Sequence, residues 1–388
     1  MTIVIATPAA RTLLKPRRAT SEHETQLARF LPALQPALQK LMLASKAHAD
    51  LLVSFPAAAI SLVTKRLTAR ERASALKLVR AGRPLKEIAA ALRLPMWLRR
   101  LPPEALYEPL PANLDPGDRA FGRGVVNAAP ATVKPGATWL AQVLTARALC
   151  DDEFALWWAR RCWDALRPDM IAPVAAFAWF SKHPQHAAYR YLRTAWSSRA
   201  ALAVVAHEAH LWHVRMILDA QAREARGDPH HLTGARHAGY EFVALDTAAA
   251  LQEEGRLMGH CVADYAERAA IGYSRLFGVR QGGSRLATME IRYREGAAVG
   301  IEQICGPRNR TPDQDLLRAA YAWAHALCTM PGCSALYGPA PINLVSWKLL
   351  WQPYVGAKAA EGVTVPAAPV DANAILNRTR ELMAAAIG

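Results

Sequence analysis

The clearest pattern of hydrophobic and polar positions lies between Gly255 and Pro312. Apolar residues recur at helical spacing from Met258 to Ile271, and Gly272 follows as a helix stop. The segment from Leu286 to Tyr293 then alternates between polar and apolar residues, as a half-buried strand does. The pattern therefore predicts a helix that leads into a sheet.

Two more β-branched and aromatic runs, Tyr273 to Arg280 and Val299 to Cys305, predict strands on either side of the alternating one. Gly282-Gly283 and Glu295-Gly296 have the composition of hairpin turns. A further helical pattern begins at Pro312 and runs to Leu327. We expect an α+β protein, mainly helical, with a small antiparallel three-stranded meander flanked by helices in the C-terminal half.

Upstream patterns are helical. The segment from Glu22 to Val63 predicts two short helices, because Pro32 and Pro36 interrupt its apolar repeat. Thr68 and Glu71 have capping-box spacing, so a helix should begin at Ala69 and continue to Arg80.

Gly82-Arg83-Pro84 separates that helix from a second one, Leu85 to Leu92. This succession of helix, turn and helix fits either a helix-turn-helix motif that contacts DNA or an ordinary pair of packed helices with a solvated basic face. In the first interpretation, the nucleic-acid contacts come from the basic residues Arg80, Arg83, Lys86 and Arg93.

Composition divides the chain into five segments. They are a basic helical N-terminal region (1–101), a Pro-rich connector (102–138), a Trp-rich helical region (139–245), the helix–meander–helix module (246–330) and a C-terminal helical extension (331–388). The tryptophans of the third segment indicate a packed core, with a base-stacking surface as the alternative.

Charge and cysteine usage narrow the functional classes. Of the net charge of +15, +11 lies in residues 1–110, where 18 Lys and Arg stand against seven Asp and Glu. Such an excess favours nucleic acid as a partner, and a compositional bias toward Arg is the alternative.

The six cysteines form no C-x-x-C pair, which indicates a reducing, cytoplasmic setting without a disulfide framework. No apolar run is long enough to span a membrane.

A metal site is not predicted. His207, His210 and His213 repeat every third residue, but this spacing differs from the H-E-x-x-H pattern of zinc helices. The sequence does not identify a cofactor.

Several separated motifs resemble the PcfJ-like family of plasmids and other bacterial mobile elements. The resemblance covers roughly Arg93 to Leu327 and includes an upstream run from Leu94 to Glu104. It implies a conjugation or mobile-element setting, with protein partners from that element, and it implies no specific reaction. The matching residues are His260-Cys261-Val262, Tyr265, Val279-Arg280, Thr288-Met289-Glu290, Gln303, Gly306, Arg308, Asn309 and Pro312.

Polar residues converge on one rim of the predicted sheet. If the preceding helix covers the apolar face of the sheet, His260 reaches the edge, close to Glu290 and Gln303. These three are the candidates for acid–base and orienting roles. Arg280, Arg308 and Asn309 are the candidates for anion binding.

Each of these residues also has a structural interpretation. Glu290 can pair with Arg280 or Arg292 across strands, and Arg308 and Asn309 can cap the next helix. For Cys261 and Tyr265 we favour packing roles. Three functions stay open: a nucleic-acid-associated accessory protein of a mobile element, an enzyme acting on a nucleotide or nucleic acid through this rim, and a protein-interaction scaffold.

Overall fold

The computed structural model describes residues 21–65, 67–106, 110, 118–129, 139–161, 170–225, 234–294, 297–328, 341–365 and 372–387. The chain forms two compact units, residues 1–145 with 155–165 and residues 146–154 with 166–388. The fold is mainly helical, and the second unit contains a five-stranded antiparallel sheet. The first 20 residues of the segment expected to be a basic helical N-terminal region lie outside the described residues.

The first unit is helical in its described residues, and several of its helices begin at a capping residue or a proline. The helices are α1 (Ser21–Ala28), α2 (Gln35–Ala44), α3 (Lys46–Ser54), α4 (Pro56–Val63), α5 (Ala69–Arg80), α6 (Leu85–Ala91) and α7 (Arg119–Ala128), and α8 (Trp139–Leu149) and α9 (Asp152–Ala159) carry residues of both units. The segment expected to hold two helices, 22–63, contains four, because Ser45 caps α3 and Pro56 begins α4.

The capping box of Thr68 and Glu71 is confirmed at the start of α5. The turn before α6 passes through Gly82, whose φ of +64° is left-handed. Helix α7 falls within the stretch expected to be a connector, and most of that connector lies outside the described residues.

Besides its sheet, the second unit contains helices α10 (Ile171–Ser181), α11 (Leu202–Ala225), α12 (Ala248–Met258), α13 (Ala266–Ala270), α14 (Gln314–Cys328), α15 (Leu344–Ala360) and α16 (Ala372–Ile387). The strands are β1 (Gly234–His237), β2 (Tyr240–Ala244), β3 (Ser274–Gln281), β4 (Ser284–Arg294) and β5 (Ala297–Cys305). They lie in the order β1-β2-β3-β4-β5, each antiparallel to the next.

The expectation of three strands is corrected to five. Strands β1 and β2 form an extra hairpin through Ala238 and Gly239, within a stretch expected to be helical. These strands have four and five residues, too few for an alternating pattern to be recognised. The turn at Gly282-Gly283 is confirmed, with both residues at positive φ. The turn at Glu295-Gly296 lies outside the described residues.

The helix expected from Met258 to Ile271 is also corrected. Met258 is the last residue of α12, because Gly259 adopts the left-handed conformation and ends the helix. A 3-10 turn, Cys261–Tyr265, and the short helix α13 follow. The later helix begins at Gln314 instead of Pro312.

Two cores form in the second unit. One face of the sheet packs on α14, where Trp323 stacks on Phe242 at 4.2 Å between ring centroids. The other core joins α10, α11 and α15 through aromatic side chains such as Phe180 and Trp212, 5.5 Å apart. Trp179, Trp196 and Trp212 are all buried, which confirms a packing role for these tryptophans. Across the described parts of the chain, no helix combines the length and apolar character needed to cross a bilayer.

Candidate functional site

The second unit has a pocket on the face of the sheet turned away from α14. Its empty volume is about 320 Å³, including space open to solvent. It is lined by His260, Cys261, Val262, Tyr265, Leu276, Thr288, Glu290, Gln303, Cys305 and Asn309. All three acid–base candidates, His260, Glu290 and Gln303, therefore line one pocket.

The strand register builds the floor of this pocket. Gly278, Thr288 and Cys305 form one row across β3, β4 and β5, and Leu276, Glu290 and Gln303 form the next. Directly opposed residues of antiparallel strands project to the same face. The alternate residues Ala287 and Met289 project to the α14 side.

The helix that precedes the pocket packs differently from expectation. Helix α14 covers the apolar face of the sheet, and α12 meets the polar face that carries Thr288. His260 thus reaches a central strand, where its Nε2 lies 2.8 Å from Thr288 Oγ1. Helix α12 packs on the polar face because its Glu254 is only 1% exposed and needs polar partners, which that face supplies.

The carboxylate of Glu254 is fixed by several groups. Thr288 Oγ1 donates to Glu254 Oε1 at 3.1 Å, and Arg285 Nε donates to Oε2 at 2.9 Å. Arg280, an anion-binding candidate, lies 3.9 Å from the same carboxylate and does not line the pocket. Gly278 leaves the required space, since a Cβ there would lie 3.0 Å from Glu254 Oε1.

These contacts determine which nitrogen of His260 carries the proton. A threonine hydroxyl has one hydrogen, and Thr288 donates it to the ionised Glu254. The hydroxyl must therefore accept from His260, so the proton of the neutral imidazole lies on Nε2. Nδ1 is left as the basic nitrogen. We call Glu254, Thr288 and His260 the relay.

Glu290 is held by cations and a hydroxyl. Ser274 donates to its Oε1 at 2.6 Å, and Arg292 Nε donates at 2.8 Å. Arg268 NH1 lies 3.7 Å from the same oxygen. The hydrogen bond to Glu290 raises the pKa of Arg292. Glu290 therefore pairs with Arg292, one of the two partners considered from the sequence, although both residues lie on β4 and the contact runs along that strand. This pairing makes Glu290 a weaker candidate for proton transfer than His260.

A row of hydrogen bonds lies along the open side of the pocket. Tyr265 donates its hydroxyl to Gln303 Oε1 at 3.4 Å, and Gln303 Nε2 donates to Cys305 Sγ at 3.0 Å. Hydrogen bonds at both Oε1 and Nε2 therefore orient the amide of Gln303. Cys261 is exposed at the pocket wall.

Arg308 and Asn309 lie in the loop after β5. Both have left-handed backbones, with φ of 53° and 60°. This conformation costs Arg308 about 1–2 kcal/mol, whereas asparagine adopts it more readily. The loop is closed by Gly306 N donating to Arg310 O at 2.7 Å. Asn309 lines the pocket, and the exposed Arg308 and Arg310 flank it with no ion pair to any described residue.

The four basic candidates of the first unit are all exposed. Arg83 pairs with Glu87 at 2.8 Å, and Arg93 pairs with Glu71 at 3.0 Å. Arg80 and Lys86 have no ion pair within the described part of the chain.

Two of the three histidines that repeat along α11, His210 and His213, have structural partners. His210 Nδ1 lies 2.7 Å from Thr379 Oγ1, and His213 Nδ1 lies 2.6 Å from Ala209 O. Burial lowers the pKa of His213 to about 3. Among the described residues, no three His, Cys, Asp or Glu side chains are grouped as a metal site requires.

Sequence reasoning missed Glu254, Arg285 and Gly278. A signal for Glu254 existed, because it shares the buried face of α12 with Leu251 and Met258 at helical spacing. An acidic residue at such a position needs a buried partner, and that partner cannot be identified from the helix alone.

Comparison with known protein families gives a match to part of the chain. Residues 205–319 match the model of the PcfJ-like protein family. The matched range contains the whole relay and every residue lining the pocket, whereas the upstream run from Leu94 to Glu104 lies outside it. No curated protein and no solved structure matches the chain.

Proposed function

We propose that the pocket is a catalytic site that performs acid–base chemistry on a nucleotide or nucleic acid, in an accessory protein of a mobile element. The relay of Glu254, Thr288 and His260 carries this proposal. A buried carboxylate that orients an imidazole through a hydroxyl, at the floor of an open pocket, is more than packing requires.

The relay prepares His260 as a base. Its Nε2–H donates to Thr288, which leaves Nδ1 to accept a proton from a substrate. Once protonated, the imidazolium is stabilised by the negative charge of Glu254, transmitted through the Thr288 hydroxyl. The amides of Gln303 and Asn309 supply hydrogen bonds that orient a substrate.

The substrate class follows from the charge beside the pocket. Arg308 and Arg310 are exposed on both sides of Asn309, and guanidinium groups suit phosphate. The mobile-element setting rests on the resemblance to the PcfJ-like family over residues 205–319.

The test is turnover by the full-length protein. Pools of nucleoside mono- and triphosphates and single- and double-stranded oligonucleotides are incubated with the protein, and products are measured by liquid chromatography and mass spectrometry. We expect one class to be converted, and His260→Gln to slow conversion by roughly 10²-fold or more. His325→Gln, at an exposed position of α14, is the matched control and should not change the rate.

Two results would contradict the proposal. If the wild-type protein converts none of these substrates, the site is not catalytic toward this class. If His260→Gln converts the substrate as fast as His325→Gln does, the relay is structural.

A second function, nucleic-acid association, is favoured by the exposed basic residues of α5 and α6 and the local charge of +11 in residues 1–110. Neutralising Arg80 and Lys86 with glutamine should weaken oligonucleotide binding and reduce the salt dependence by about one to two ions. Arg318→Gln on α14 serves as the control. An unchanged salt slope in the double variant would place the contacts elsewhere.

A further inference from the structure

We propose that Cys305 is the nucleophile of the pocket and that His260 accepts its proton, so that the site reacts covalently with a substrate offering an electrophilic carbon. This inference rests on the basic role of His260 proposed above. It assigns chemistry to a thiol that the sequence motifs did not single out.

The first observation is position. Cys305 lies directly opposite Thr288 in the register of β5 and β4. Opposed residues have Cβ atoms about 4.5–5.5 Å apart on the same face. Thr288 Oγ1 is 2.8 Å from His260 Nε2, and Cys305 and His260 line the same pocket. The register and the relay therefore place the thiol and the oriented imidazole in one pocket, with no direct hydrogen bond between them among the described contacts.

The second observation is the environment of the sulfur. Gln303 Nε2 donates to Cys305 Sγ at 3.0 Å. In this orientation of the amide, Gln303 Oε1 accepts from the Tyr265 hydroxyl at 3.4 Å. An N–H group directed at sulfur stabilises the anionic form, because the thiolate is the better acceptor.

The other described cysteines provide internal comparisons. Cys150 is buried, and burial raises the pKa of its thiol. Cys261 is more exposed than Cys305, yet it adjoins His260 on the chain and no hydrogen bond to its sulfur is found among the described residues. Accessibility alone would make Cys261 the faster thiol, whereas the proposed activation makes Cys305 the faster one.

The chemical step is balanced. The Cys305 S–H proton passes through a water molecule in the pocket to Nδ1 of His260, the nitrogen that Thr288 does not occupy, and the thiolate attacks the electrophilic carbon. With the probe iodoacetamide a C–S bond forms, the C–I bond breaks, and iodide leaves with its electron pair. The proton on His260 is then released to solvent.

The experiment measures alkylation of each cysteine in the full-length protein. Samples are treated with limiting iodoacetamide at pH 7, quenched at intervals, digested and quantified peptide by peptide. We expect Cys305 to react roughly tenfold faster than Cys261, as an activated thiol does relative to an ordinary one. His260→Gln and Gln303→Leu should each slow Cys305 several-fold, and Gln281→Leu, at an exposed position of β3, should not.

Equal rates at Cys305 and Cys261, or a Cys305 rate that is unchanged in both variants, would overturn the proposal. Unfolding midpoints of the variants, measured in parallel, show whether a change in rate reflects a loss of structure.

A Cys305→Ser variant separates this proposal from the acid–base function. If that variant converts the nucleotide substrate at the wild-type rate while His260→Gln does not, the thiol proposal fails and the function of His260 stands. If both variants lose turnover, the nucleophilic role of Cys305 is supported.

Discussion

Replacing Thr288 by valine tests the relay without changing the shape of the side chain. Thr288 is 7% exposed, and its hydroxyl is the only link between Glu254 Oε1 and His260 Nε2 among the described contacts. Valine is β-branched like threonine and suits a strand, so neither β-propensity nor side-chain volume changes appreciably. Any effect of the substitution on stability therefore comes from the loss of the hydroxyl group.

The magnitude follows from two lost hydrogen bonds. Glu254 loses a donor to a buried carboxylate, which costs about 1.5–3 kcal/mol, and half-buried His260 loses an acceptor, which costs about 1 kcal/mol. Arg285 still donates to Glu254 Oε2, so the carboxylate is not left without a partner. We expect the free energy of unfolding to fall by roughly 2–4 kcal/mol, which corresponds to about 5–15 °C in the unfolding midpoint.

Thermal unfolding of the full chain, followed by circular dichroism, is the assay, and Thr288→Ser is the matched control. Serine keeps the hydroxyl and both hydrogen bonds and loses one methyl group, which costs about 1 kcal/mol. If valine destabilises the protein no more than serine does, the hydroxyl is not a structural link and the reasoning fails. Nitrogen-15 NMR gives a second check, because the preference of His260 for the Nε2–H tautomer should weaken in the valine variant.

Further predictions concern other parts of the second unit. Burial lowers the pKa of His213 to about 3, so the unfolded chain takes up its proton first as the pH falls below about 6.5. Because of this residue, the free energy of unfolding should decrease by roughly 2–3 kcal/mol between pH 6.5 and pH 4.5. Denaturant titrations of His213→Leu at these two pH values should lack this decrease. Arg308→Gly should leave the unfolding midpoint unchanged or raise it, because it relieves about 1 kcal/mol of left-handed backbone strain. The same variant should bind nucleotide more weakly. A lowered unfolding midpoint would mark Arg308 as structural. Ile291→Ala should cost about 2–5 kcal/mol and Trp323→Ala about 3–5 kcal/mol in urea unfolding, and values below 1 kcal/mol would contradict the assigned core.

Local rules predicted part of the candidate site. Alternation along β4 placed Thr288 and Glu290 on a face opposite Met289, and the strands are antiparallel as their hairpins required. His260, Glu290 and Gln303, the polar residues expected to converge on one rim of the sheet, share a pocket. The grouping of Glu290 with Gln303 was predictable because side chains on paired strands share a face at every second residue.

The partners of those residues were not predictable in the same way. Glu254 and Thr288 are 34 residues apart, and nothing in either segment specifies that α12 covers the polar face instead of the apolar one. That choice depends on α14, which occupies the apolar face through Trp323. The role of Gly278 becomes visible only when the carboxylate above it is placed.

By itself, the sequence determined what depends on neighbouring residues. It specified the capping box at Thr68, the turn at Gly282-Gly283 and the polar and apolar faces of β4, because hydrogen bonds and φ preferences act over a few residues. Only the tertiary structure decided which helix covers which face and that β1 and β2 extend the sheet. It also decided that a buried carboxylate would orient His260. These outcomes depend on contacts between distant segments, where burial and the pairing of polar groups outweigh local preference.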